Sequence, residues 1–146
     1  MGALDGVRFL KYLLVLFFAC PLAAADYVVF TSTETPVVRL TQFQLKQIYF
    51  GRLDRWKGMR LQPIQLARDS AVRTGFDRKV LGPASDVADY WLQQKLKGGA
   101  REPLTVRDWA LVVVYVRRNP GFIGYAPAEE SQALRDQGLR VIEVTD

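Results

Sequence analysis

The sequence contains no histidine, and its single cysteine, Cys20, lies near the N-terminus. These absences remove most familiar chemistry. They exclude a Ser-His-Asp triad, a zinc site built from His or Cys, a cysteine nucleophile in the folded domain and a disulfide framework. Catalysis would fall to carboxylates or lysines, and no spacing along the chain sets such a pair apart. Internal repeats, low-complexity stretches and linkers are missing too. Lys and Arg number 20 against 15 Asp and Glu, a formal net charge of +5, but the basic residues never form a run. Scattered positive charge favours small anions as partners, whereas a nucleic-acid surface needs a clustered stripe.

The N-terminus has a layout of its own. Arg8 and Lys11 precede an uncharged stretch from Tyr12 to Ala25, which ends in Ala23-Ala24-Ala25 before Asp26. A basic region, an apolar run and small residues at a cleavage site form a secretory signal peptide. An uncleaved span would need about 20 apolar residues, and this run is shorter. Cys20 offers lipidation as an alternative, but Phe17-Phe18-Ala19 and Pro21 make poor lipobox neighbours. The expectation is a signal peptide over residues 1–25 and a single domain over residues 26–146.

Strands and helices alternate along that domain. Asp26 to Thr31 reads as a buried strand and Thr31 to Pro36 as a polar loop. Thr41 opens a helix as half of a capping box with Gln44, and Gly51 stands where a terminating glycine belongs. Leu61 to Ala67 reads as a strand. Ser70 begins a helix whose Val72, Phe76 and Val80 form one apolar stripe, stopped by Gly82-Pro83. Ser85 is expected to cap a third helix, with Asp86 and Asp89 early and Lys95 and Lys97 late, matching the helix dipole. Lys97 to Ala100 reads as a flexible connector. Trp109, Val112, Val113 and Val116 predict a fourth helix, Phe122 to Ala126 a strand, Glu129 to Gln137 a short helix and Leu139 to Thr145 a closing strand. This order predicts an α/β three-layer sandwich with a mainly parallel or mixed sheet.

The best candidate site is Arg68-Asp69-Ser70-Ala71-Val72-Arg73-Thr74. The unpaired N–H groups of a first helical turn and the positive end of its dipole attract anions. Arg68 could offer a fork of donors to a tetrahedral oxyanion, Ser70 and Thr74 hydroxyls, and Arg73 further charge. A plain structural reading stands beside this one. Ser70 is then only an N-cap, Arg68 pairs with a nearby carboxylate, and Arg73 forms an ordinary i,i+4 surface pair with Asp77. Composition does not separate the two.

Other segments read as scaffold. Trp56, Trp91 and Trp109 fit a core better than a stacking surface, and Thr31-Ser32-Thr33 fits a solvated loop better than an anion site. Arg117-Arg118 complements a helix dipole. Tyr125 is expected to pack, its hydroxyl reaching a surface partner. Asn119-Pro120-Gly121 forces a turn, and Gly124 within the next strand marks a close approach by backbone or ligand.

Three phrases in order carry a resemblance. They are Leu40-Thr41 through Ile48-Tyr49-Phe50-Gly51 with Trp56 beyond, Arg68-Asp69-Ser70 running to Thr74 and Phe76, and Asn119-Pro120-Gly121-Phe122-Ile123-Gly124-Tyr125. Over roughly residues 37–145 they resemble the phosphate-binding proteins of bacterial phosphate ABC transporters, of the type II periplasmic binding protein class. The resemblance implies one lobe of that fold, a periplasmic location and ligand contacts from Arg68, Ser70 and Thr74. The pattern departs where the family's loop glycines give way to Asp69, Ala71 and Val72. Family members close two lobes around their ligand, and this chain matches the second; Asp26 to Thr33 would be a remnant of the crossover between lobes.

Two functions follow from the resemblance. The first is a non-catalytic periplasmic module that binds phosphate or another oxyanion without a cofactor, its half cleft closed by a partner or by self-association. The alternative is an interaction module that docks on a membrane sensor or transporter and binds no phosphate.

Overall fold

Two consecutive valines and a phenylalanine, bounded by Tyr27 and Ser32, make a strand with apolar groups on both faces, and such a strand belongs inside a sheet. It is β1 (Tyr27–Ser32), and the computed structural model, which describes residues 26–146, places it third in a mixed six-stranded sheet. The others are β2 (Arg39–Thr41), β5 (Gln62–Leu66), β6 (Leu104–Val106), β7 (Phe122–Pro127) and β8 (Leu139–Thr145), in the order β2-β8-β1-β7-β5-β6. β1 runs antiparallel to β7 and β8, whereas β2–β8, β5–β6 and β5–β7 are parallel. A small hairpin, β3 (Arg55–Trp56) with β4 (Met59–Arg60), stands apart. The expected signal peptide lies outside the described residues. Among those residues, no helix is long and apolar enough to cross a membrane.

Helices cover both faces. On one lie α1 (Gln42–Tyr49) and α2 (Ala71–Phe76), the latter continued by a π-helical turn at Asp77–Leu81. On the other lies α4 (Trp109–Arg118), where Gly124 leaves room for Val112. α3 (Ala84–Lys97) and α5 (Ser131–Asp136) complete the chain. Sheet alternation decides what each face receives. Phe30 lies opposite Gly124 in the β1–β7 register and shares its face. Tyr125, the next residue, turns to the other side and stacks on Phe76 with ring centroids 4.1 Å apart.

Local signals held best where caps are present. Thr41 and Gln44 form the reciprocal capping box, with N–H···O distances of 3.1 and 2.9 Å, and Gly51 follows the helix at φ 71°. Ser70 caps α2 by accepting from the Arg73 N–H. Ser85 does not cap α3. That helix begins at Ala84, with Pro83 in the cap position, so Ser85 sits inside the first turn. The stretch after it is held rather than loose: Gly98 adopts φ 65° and the Gln94 side chain accepts from the Ala100 N–H.

Three further expectations need correction. The polar run after Phe30 is a solvated loop only in part: β1 continues to Ser32, Thr31 and Thr35 are buried, and Thr33 and Glu34 are exposed in the turn between them. The buried hydroxyls are internally satisfied, since Thr31 donates to the Phe122 carbonyl, Ser32 meets Thr35, and Thr35 Oγ1 accepts from the Gly121 N–H. The pairs β2–β8 and β5–β6 and the β3–β4 hairpin were not foreseen. The Arg73–Asp77 pair is mostly buried, with side-chain exposures of 8% and 23%, not a surface pair. Finally, the Tyr125 hydroxyl turns inward and accepts from the Leu66 N–H at 3.1 Å.

That last bond has a structural cause. β5 and β7 pair only at Gln62–Phe122 and Pro63–Ile123, then part. Tyrosine hydroxyls fill the gap: Tyr49 donates to the Ile64 carbonyl at 2.8 Å, and Tyr125 serves Leu66. Burial pushes both phenols above their ordinary pKa, so each stays neutral. Tyr125→Phe strands a buried N–H and should cost about 1–3 kcal/mol. Urea unfolding measures this; an unchanged midpoint would remove the hydroxyl from the account.

Candidate functional site

The parting of β5 from β7 ends at Leu66, and the chain turns there toward α2. Ser70 N–H bonds to the Ala67 carbonyl at 3.0 Å, which brings Arg68 and Asp69 to the outside of a tight turn. Both are exposed. Arg68 makes no ion pair among the described residues. The carboxylate partner expected for it under the structural reading is therefore missing.

Ser70 uses one lone pair to cap Arg73, at 3.3 Å, and keeps its O–H for another acceptor. Thr74 donates to the Ser70 carbonyl at 3.2 Å and is exposed. The Ala71 and Val72 amides are the orphan donors of this first turn. Arg73 is committed inside: its guanidinium donates to the Leu66 carbonyl at 2.9 Å and to Asp77 Oδ2 at 3.2 Å. Arg73 is therefore a buried strut.

The π-helical turn after α2 brings Asp77 to the same place. Its Oδ1 is buried and has no hydrogen-bond partner. Burial raises its carboxyl pKa from 3.8, and the charges of Arg73 and Arg68 pull it partly back. Together Arg68, Thr74 and Asp77 border a cavity of about 460 Å³ whose opposite wall is the start of α3, with Val87, Ala88 and Trp91. Of the three residues expected at the site, Arg68 and Thr74 line this cavity and Ser70 does not.

Sequence reasoning missed the far wall. Trp91 is buried as expected but also forms part of the cavity, and Ala84 and Ala88 leave the space open. The available signal was the small-residue pair at i,i+4 on the face that carries Trp91, which no local rule ties to Arg68.

No family model matches the sequence, and no curated protein matches it either. Solved structures do. An ABC-type phosphate transport receptor from Vibrio cholerae aligns at 19% identity and TM-score 0.60, over 84% of this chain and 47% of that one. A putative phosphate ABC transporter substrate-binding protein with bound phosphate, from Clostridium perfringens, aligns at 20% identity and TM-score 0.65, over 84% and 46%. PstS from Borrelia burgdorferi aligns at 19% identity and TM-score 0.60, over 82% and 47%. The chain spans about half the length of these structures. Its fold is that of one lobe of a phosphate ABC transporter substrate-binding protein.

Proposed function

We propose that this protein is a non-catalytic, periplasmic binding module for phosphate or a related oxyanion, held by Arg68, Ser70 and Thr74. One observation carries the reading. Arg68, without an ion pair among the described residues, stands at the mouth of a cavity beside the first turn of α2. The fold shared with phosphate receptors supports the same ligand class. The Arg68 fork supplies charge-assisted hydrogen bonds, and the Ala71 and Val72 amides and the Ser70 hydroxyl add donors. Thr74, whose O–H is taken by the Ser70 carbonyl, would turn its hydroxyl to the ligand on binding.

Ligand linkage provides the test. Phosphate at 100 times its dissociation constant should add about 2.7 kcal/mol, raising the melting temperature by about 10 °C. Arg68→Ala/Ser70→Ala should lose that rise. An equal rise in the double variant, or none in the wild type, would refute the reading.

A second reading has its own support. α3 exposes Leu92 and Leu96, at 56% and 78%, as an apolar stripe at i,i+4 spacing. An interaction module that docks on a membrane sensor or transporter would use such a stripe. Capture of the same envelope partners by wild type and by the phosphate-blind double variant would favour it.

A further inference from the structure

The cavity beside Arg68 is large for a bare phosphate. At about 460 Å³ it lies within the range of small-molecule pockets, about 300–1,000 Å³. A second cavity of about 620 Å³ adjoins it and shares Arg68, Ala88, Trp91 and Glu102. The two form one trough along α3, with Arg68 at their junction.

Its chemistry is divided. Arg68, Arg73 and Arg78 come from the β5–α2 side, whereas Val87, Ala88 and Trp91 of α3 form an apolar wall. Inorganic phosphate at Arg68 would leave that wall facing water. An apolar substituent on the same anion would cover the wall and release that water. Asp77 and Glu102 border the trough near Arg68 and Lys95 and Arg101 line its second cavity, so the stretch without charge is the α3 wall of Val87, Ala88 and Trp91. We propose that the trough takes a monosubstituted phosphate or phosphonate with an apolar or aromatic body, its oxyanion on Arg68 and its body along Trp91 and Ala88. This inference rests on the reading of Arg68 as the anion anchor.

Calorimetric titration of phenylphosphonate, methylphosphonate and inorganic phosphate into the full chain tests it. Phenylphosphonate should bind about tenfold more tightly than methylphosphonate, equivalent to about 1.4 kcal/mol. Ala88 is exposed on α3, so Ala88→Phe fills the trough without entering the core, which an unchanged circular dichroism spectrum would check. In that variant the phenyl-to-methyl ratio should fall to about one. Equal affinity of the wild type for the two phosphonates, with phosphate still bound, overturns this inference and leaves the oxyanion reading standing. A phenyl preference that persists in Ala88→Phe also overturns it, because the body then lies elsewhere. Failure of all three ligands to bind overturns both.

Discussion

Arg73→Ala should lose about 3 kcal/mol or more of stability at neutral pH, and less at acidic pH. Removing one partner of a buried ion pair typically costs about 3–5 kcal/mol, because the remaining charge is left without compensation. Here the loss would strand both the Leu66 carbonyl and Asp77, whose Oδ1 already lacks a donor. The pH dependence follows from linkage. Burial raises the folded-state pKa of Asp77 above 3.8, so between those values the native state holds a proton that the unfolded chain has released. Stability therefore falls as pH rises from about 3.8 through the folded pKa. Without Arg73, which lowers that pKa, the fall is larger and extends further upward. Urea unfolding at pH 4 and pH 7 should show a smaller deficit at pH 4, and adding Asp77→Ala should recover part of it. An equal deficit at both pH values would mean that the Asp77 charge is not the cause.

Gly121→Ala should be comparably severe. Gly121 adopts φ 92°, and a Cβ there would collide with the Arg60 carbonyl oxygen. Backbone strain of about 1–3 kcal/mol adds to overpacking of about 1–3 kcal/mol. The turn is also anchored at both ends: Gly121 N–H donates to Thr35 Oγ1, and its carbonyl accepts from the Gln62 N–H. Gly124→Ala provides the contrast. Its obstacle is Val112 Cγ1, a side-chain methyl and not backbone, and Gly124 lies at no positive φ, so the overpacking term stands alone. Thermal unfolding should rank Gly121→Ala well below Gly124→Ala. Val112→Ala should improve the Gly124 variant relative to additivity and leave the Gly121 variant unimproved.

The same two glycines show what could be read in advance. Asn-Pro-Gly announces a turn by local sterics, and it ends α4 where expected, at Arg118. The Thr41–Gln44 box, the Ser70 cap and the boundaries of β8 were legible for the same reason, since each depends on residues close in sequence. β2 and β6 were not, because each is three residues long and exists only through parallel pairing with β8 or β5. The Thr31–Thr35 stretch misled by composition: polar side chains read as solvated, yet their hydroxyls hold the Gly121 turn to β1. Arg73 and Asp77 were recognised as an i,i+4 pair, but spacing on a helix says nothing of which way the pair faces. At the site, the contiguous segment from Arg68 to Thr74 was legible. The α3 wall was not, because the fold alone brings Trp91 and Ala88 to Arg68.

Anion capture by Arg68 is the central claim, and direct titration of inorganic phosphate into wild type and Arg68→Ala tests it most simply. Saturable binding by the wild type, weakened about tenfold or more in the variant, is the predicted result for a charge-assisted anchor. Identical binding curves for the two proteins, or no binding by the wild type at millimolar phosphate, would contradict it.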